Sequence, residues 1–363
     1  RHLEDEYGMN VATIGSPLGK VKLLDVEDGT KNRFVPFKKY LNDEVNFAHL
    51  YAATKELKAL LIMLAGTDHD SHEGKEPIHT DNGKAIGPYW AAMCVDDIMR
   101  TRRFVRGVYH AMADMLNARE GKINLLYAGT GPFAMLVLPS ILRFSPERVN
   151  YTFLEINPIT FKTLQRVLNT LGMEAFRIEL VQADASRYVL DKENLPNIII
   201  SETMQNMLAR EQQVPIFLNL MRQAQPHTVF IPESIELFVG VRATGKNETE
   251  ITRNDYRKLD CVFAVNRQTM AERIDSTANG REESFVFNER KTLVKDDAAA
   301  STVQPVLFTE VQVYKDERLL INESGLTTPK TLHLNGISEG KPICIKTRYK
   351  IDKEPKLEYE ILE

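Results

Sequence analysis

Apolar residues recur at helical spacing from about Phe47 to Leu64 and again from Tyr89 to Leu116, where Met93, Ile98, Phe104, Val108 and Met112 share a face. This pattern predicts two helices. Between them, residues 66–83 are polar, carry no apolar period and are rich in turn formers, which predicts a loop. From Lys122 the pattern changes. Short apolar runs at 123–128, 151–155, 178–182, 198–201 and 228–231 alternate with helical stretches at 134–143, 158–171, near 202–210 and at 214–224. Strands alternating with helices predict a parallel sheet covered on its faces. Beyond Pro232 the chain alternates or is β-branched at 236–241, 261–265, 284–287, 306–314, 319–322, 341–350 and 357–361. That predicts a second, mainly β domain. Before residue 47 only short extended pieces are suggested, around Val21, Leu23 and Val26. The expected division is an N-terminal mixed and helical region over 1–121, an α/β domain over 122–242 and a β-rich domain over 243–363.

Composition narrows the classes of function. A chain of 363 residues, 43% hydrophobic and 26% charged, is long enough for more than one core. Its 46 Lys and Arg against 50 Asp and Glu leave a charge of −4, which gives no general pull toward a phosphate backbone or an anionic membrane. Nucleic acid is therefore not expected as the main partner. The apolar runs 123–126 and 134–138 fall far short of the roughly 20 residues that span a bilayer, so no membrane partner is expected. Cys94, Cys261 and Cys344 form neither a paired framework nor a CxxC knuckle, and no apolar signal region opens the sequence. A reducing, cytoplasmic setting is expected. Asp68, His69, Asp70, His72, Glu73, His79 and Asp81 crowd the polar loop. Such residues also crowd ordinary loops, and Zn²⁺ needs about three or four converging ligands, so no metal is expected.

The chemistry concentrates at the ends of the predicted parallel strands. Leu125-Leu-Tyr-Ala-Gly129-Thr-Gly131 runs an apolar strand into a two-glycine turn, where the backbone can approach a ligand and a helix start would offer free N–H groups. The next strand ends in Glu155, well placed to accept from a ribose diol. The third ends in Gln182-Ala-Asp184-Ala185, where a carboxylate beside a small residue can accept from an adenine amino group. Glu155 and Asp184 could equally be helix caps or loop acids. A NAD enzyme would normally show three glycines in the turn, and this turn has two.

With turn, ribose acid and adenine acid in this order, residues from about 122 to 242 resemble the class I methyltransferases that use S-adenosylmethionine. The fourth strand sharpens the resemblance. Ile198-Ile-Ile-Ser201-Glu202-Thr-Met-Gln-Asn-Met-Leu-Ala-Arg-Glu211 is similar to the double-glutamate hairpin of protein arginine methyltransferases, and Asp97-Ile-Met-Arg100-Thr101 to the Asp-Glu-Val-Arg-Thr helix of that family. The resemblance implies a Rossmann-like methyltransferase sheet with N-terminal helices and a C-terminal, mainly β, barrel-like domain. It implies S-adenosyl-L-methionine as cofactor, contacted by Arg100 at its carboxylate, by Tyr127, Gly129 and Gly131 at the turn, by Glu155 at the ribose, and by Asp184 and Ala185 at the adenine. Glu202 and Glu211 would be the catalytic pair.

The pairing also makes chemical sense. A guanidinium, with a pKa above about 12, offers no nucleophilic lone pair until charge is drawn to one nitrogen and a proton is lost. Two carboxylates can orient the planar fork and take that proton. Several positions depart from the family. Tyr127 stands where an acid is common and Phe133 where a third glycine is common. Thr203, Gln205 and Asn206 replace the hairpin's Trp, Gly and Tyr, Gln212-Gln213 follows the second glutamate in place of Ser-Met, and Thr328-Pro-Lys-Thr-Leu-His333 stands where a Thr-His-Trp loop would be sought. The expected reaction is N-methylation of a guanidino group on a free arginine-like small molecule or a protein arginine, by a possible homodimer. Two alternatives stay open: a methyltransferase on another acceptor, through oxygen, carbon or an amine, and a non-catalytic protein binding S-adenosylmethionine or its demethylated product. Glu202 as a first-turn helix acid and Glu211 as a solvated acid beside Arg210 are the corresponding structural readings.

Overall fold

The computed structural model describes residues 41, 47–65, 72–141, 143–243, 246, 250–274, 285–287, 289–294, 303–333 and 343–362. The pieces suggested around Val21, Leu23 and Val26, and Asp68 to Ser71 of the polar loop, lie outside them.

In helix α1 (Phe47–Ala65), Leu50, Leu57, Leu61 and Leu64 are buried at helical spacing, as the pattern predicts. The polar stretch after it is more structured than expected. It contains a short helix, α2 (His72–Lys75), and a hairpin of β1 (Ile78–Thr80) and β2 (Gly83–Ala85). The helix predicted over 89–116 is divided into α3 (Pro88–Met93), a 3₁₀ turn and α4 (Ile98–Asn117). Asp97 makes the break. Its backbone leaves the helical region, and its carboxylate caps α4 by accepting from Arg100 N at 3.2 Å.

β3 (Ile123–Ala128) follows the predicted run residue for residue. The helix predicted over 134–143 is reduced to α5 (Leu138–Ile141), and residues before it form turns, with Ala134 at φ 45°. Pro139 is the physical reason. It cannot donate to the carbonyl four residues back, and its ring disfavours helical backbone just before it. β4 (Val149–Glu155) leads into α6 (Pro158–Thr170), whose N-cap Asn157 accepts from Ile159 N at 2.9 Å and Thr160 N at 3.2 Å, with Pro158 at the first helical position. β5 (Arg177–Gln182) and β6 (Ile198–Ser201) follow. The short helix expected near 202–210 is a 3₁₀ turn at Asn206–Leu208, and α7 (Gln213–Gln223) precedes β7 (Val229–Ile231).

These five strands form one parallel sheet in the order β5-β4-β3-β6-β7, a Rossmann-like arrangement. All four residues of β6 are buried, as a strand covered on both faces requires. The strand order reverses beside β3, between β4 and β6. Such a switch point leaves a crevice at the carboxyl ends of the strands.

The C-terminal part is antiparallel. β8 (Ser234–Ala243) pairs with β9 (Tyr256–Asn266), and after helix α8 (Arg267–Ile274) come the short strands β10 (Phe285–Val286) and β11 (Arg290–Val294). β12 (Val303–Tyr314), β13 (Glu317–Leu319), β14 (Lys330–Thr331), β15 (Ile343–Ile351) and β16 (Lys356–Leu362) complete it. The strand predicted to reach residue 322 stops at Leu319, and Asn322 has φ 61°. The strands form two sheets: β13-β12-β8-β9 with β14 on β12, and β10-β15-β11 with β16 on β15. No closed barrel is found among the described residues. Between the sheets Phe263 stacks on Tyr349 at 4.2 Å, with Phe287 edge-on to both.

Helix α4 joins the two halves. A Cβ on Gly107 would lie 2.5 Å from Val313 Cγ1, so only glycine admits this approach of α4 to β12. Arg103 at 3.1 Å and Arg106 at 2.6 Å pair with the buried Glu317 at the same junction. No helix among the described residues is long and apolar enough to cross a membrane.

Candidate active site

A cavity of about 640 Å³ opens at the carboxyl ends of β3, β4 and β6, at the switch point. Its wall includes Arg100, Tyr127, Gly129, Gly131, Glu155, Ala185, Glu202 and Glu211, so the fold brings together these residues from five separate stretches of sequence. Asp184 is not on that wall. Its Oδ1 accepts from Ser186 N at 2.9 Å and closes the turn after β5, while Ala183 and Ala185 face the cavity.

The glycine turn is locked onto β4. Gly129 N donates to Leu154 O at 2.9 Å, Thr130 N to the same carbonyl at 3.3 Å, and Gly131 N to Glu155 Oε2 at 3.0 Å. Both glycines have positive φ, 73° and 62°. They differ in what lies beside them. A Cβ on Gly129 would fall 2.2 Å from Thr203 Cγ2, whereas one on Gly131 would meet nothing nearer than Ala91 Cβ at 3.9 Å. Gly129 therefore makes room for a neighbouring side chain, and Gly131 leaves space in the cavity. The free helix N–H groups expected after the turn are not formed there, because turns precede α5.

Glu155 is buried and holds two backbone donors, Gly131 N and Asn157 N, the latter at 2.9 Å. Burial pushes its carboxyl from the ordinary 4.5 up to about 7, against the pull of those N–H groups. Above its unfolded value, such a group keeps a proton in the folded protein that the unfolded chain has released. The stability it contributes is present at low pH and is lost as pH rises from 4.5 through about 7. The expected loss is on the order of 3 kcal/mol. Urea unfolding of the wild type and Glu155→Gln across this range checks it: the variant should lack this decline, and parallel curves would refute the assignment.

Tyr127 is a buried phenol beside the turn, and burial raises its pKa so that it stays neutral. Its ring meets Phe153 edge-on at 6.0 Å. Across the cavity, Arg100 forms an ion pair with Glu202 Oε2. The other oxygen, Oε1, is buried with no hydrogen-bond partner among the described residues. An ionisable oxygen left in that state is costly unless a donor reaches it from the cavity. Glu211, also buried, hydrogen-bonds with the Gln205 side chain. Its carboxyl is raised by burial while Arg100, Gln205 and Lys84 oppose the shift.

The backbone between these acids is strained. Met207, Leu208 and Arg210 have φ of 60°, 53° and 67°, unfavourable for residues with a Cβ. The β-rich part holds them there. Met207 N donates to Thr309 Oγ1 at 3.3 Å, the buried Tyr349 hydroxyl to Leu208 O at 2.6 Å, Arg210 N to Pro355 O at 2.6 Å and Asn206 Nδ2 to Thr328 O at 2.7 Å. On the other flank, Lys84 N donates to Arg210 O at 2.9 Å.

The contacts of several residues at the site escaped sequence reasoning. Asp97, besides capping α4, accepts from Ser324 Oγ at 2.6 Å and Gly325 N at 3.0 Å and so brings Gly325 and Leu326 to the cavity wall. Gln212 Nε2 donates to Asn82 Oδ1 at 2.7 Å, tying the β1–β2 hairpin to the cavity rim. The Asn82-Gly83 pair was the available signal, since that dipeptide marks tight hairpins. No group of His, Cys, Asp or Glu among the described residues could hold a metal ion, and all three cysteines are free.

The fold and cavity define a Rossmann-like α/β protein with a ligand site at its switch point and a mainly β C-terminal part. No family model matches the sequence, and no curated protein matches it. Among solved structures, the chain is similar to "Trypanosoma brucei PRMT1 enzyme-prozyme heterotetrameric complex with AdoHcy", at 11% identity and a TM-score of 0.43 over 74% of this chain and 96% of that one. It is also similar to Arabidopsis thaliana Protein Arginine Methyltransferase 10 in a uniquely open conformation, at 11% identity and a TM-score of 0.48 over 76% of this chain and 98% of that one.

Proposed function

We propose that the protein is an S-adenosylmethionine-dependent N-methyltransferase acting on a guanidino group, carried by a small arginine-like molecule or by an arginine residue. The observation that carries this reading is the pair of buried carboxylates, Glu202 and Glu211, on the wall of the cavity that also holds the glycine turn and Glu155, with Glu202 Oε1 unpartnered. The residues present suit the cofactor. Gly131 leaves room for it, Glu155 offers a carboxylate to a ribose diol, and Arg100 supplies a cation for an amino-acid carboxylate. When bound, the cofactor supplies a methyl group made electrophilic by a positive sulfur.

The chain's own residues would do the rest. Arg100 fixes Glu202 through Oε2, which leaves Oε1 to accept an N–H of the acceptor and set its plane. Glu211 takes the proton that the attacking nitrogen must lose. A carboxyl raised above its ordinary value is a better base for that proton than an exposed one. The apolar side chains of Met204 and Leu326, buried at the cavity wall, strengthen both interactions.

The test is mass spectrometry of the protein with S-adenosylmethionine and a panel of free arginine, other guanidino compounds, simple amines and arginine-containing peptides. A gain of one or more methyl groups on a guanidino compound is expected. Methylation confined to amines or hydroxyls would refute the acceptor class. Absence of heat on titrating S-adenosylmethionine or S-adenosylhomocysteine into the protein would refute the cofactor.

A further inference from the structure

The hairpin carrying the two glutamates has a second face. A groove of about 620 Å³ runs along it, walled opposite by Pro329 and Lys330 of the β14 region and by residues 354–357 at the β15–β16 turn. Asn206 lines both spaces, so the groove adjoins the cavity. Arg210 lines the groove and the next residue, Glu211, lines the cavity. The hairpin is thus a shared wall.

The groove's charge is unlike its surroundings. Among the described residues Arg210, Lys330 and Lys356 line it against one acid, Glu354, and all four are exposed. None of the three cations forms an ion pair among the described residues, although Lys330 lies over the Tyr359 ring. On the strands that form its rim the other cations are paired: Lys346 with Glu289, Arg348 with Glu358, Lys350 with Asp352. An unpaired positive groove on a chain of charge −4 is poised for an anionic partner. Among the described residues its floor is Met207, Leu307, Pro355 and Leu357, which offer no aromatic ring on which a base could stack. Aliphatic floor and charged rim suit a peptide better than a nucleic acid.

We propose that this groove holds the stretch of the acceptor next to the methylated group, and that the acceptor is a peptide whose flanking residues are acidic. The proposal rests on the acceptor reading above and narrows it, since peptides dense in arginine would meet repulsion here. It is tested by fluorescence anisotropy of the full chain with labelled peptides: an Asp/Glu-rich peptide with one central arginine, its Asn/Gln counterpart, an acidic peptide without arginine, and a Gly/Arg peptide. At low salt the acidic peptides should bind at least about tenfold tighter than the neutral one, and the gap should narrow as salt rises. The exposed double variant Lys330→Glu, Lys356→Glu should abolish the gap. Equal affinities, a gap untouched by the charge reversal, or preferential binding of a single-stranded oligonucleotide lost in the same variant would each overturn the proposal. The arginine-free peptide separates the two claims. If acidic peptides bind in the groove and none is methylated, the guanidino reading fails and the groove stands; methylation without acidic preference does the reverse.

Discussion

On the proposed reading, Glu202→Gln is expected to lower the rate of methyl transfer by about 10³-fold, and Glu211→Gln by a similar factor, because the first would weaken the hold on the acceptor's plane and the second would remove the base for its proton. The two effects do not multiply in the double variant, since a clamp that has lost one carboxylate no longer holds the nitrogen in line for the other. Loss of Glu211 should raise the acceptor's pH requirement as well, because the proton must then leave to solvent. Cofactor affinity, measured by calorimetry, should change far less than turnover, as Glu155 and the glycine turn are untouched. Initial rates on the guanidino acceptor found by the panel check this. Turnover within tenfold of wild type in the double variant would remove both residues from the mechanism.

Gly129→Ala is expected to be the most damaging single-methyl substitution at the site. The new Cβ meets Thr203 Cγ2 at 2.2 Å, and the backbone sits at φ 73°. Thr203 cannot step aside cheaply, because its N and Oγ1 are both held by Gln213 Oε1, at 3.0 and 3.2 Å. Overpacking and left-handed backbone each cost about 1–3 kcal/mol. Together they should lower stability by about 3 kcal/mol in urea unfolding. Thr203→Ser removes the clashing methyl and keeps the hydroxyl, so in the Gly129→Ala background it should return about half of the loss. A double variant no more stable than Gly129→Ala alone would show that the clash is not the cause.

Much of this was legible in the sequence, for identifiable reasons. Runs 123–128 and 198–201 are strands to the residue because both faces of a parallel sheet are covered, and the apolar pattern has no other use. Glu155, Glu202 and Glu211 were recognisable as acids at or after strand ends, where an open α/β sheet places its ligands. What failed were features decided by single residues or by distant ones. Pro139 shortens a helix that apolar content alone predicts, and Asp97 divides another by capping toward Ser324 and Gly325 of the other half. The groove beside the hairpin joins residues from four distant stretches, and no local pattern announces it.

The hydrogen bonds between the hairpin and Thr309, Tyr349, Pro355 and Thr328 divide labour between the halves of the chain. The glycine turn and Glu155 are held by contacts within the parallel-sheet part, whereas the path of the segment leading to Glu211 is imposed by residues more than a hundred positions later. If Glu202 and Glu211 hold the acceptor as proposed, substitutions in β12, β15 and the β15–β16 turn are expected to change acceptor preference while the glycine turn and Glu155 stay as they are. For anyone redesigning the protein on that reading, the first place to adjust selectivity is the half that contains neither glutamate.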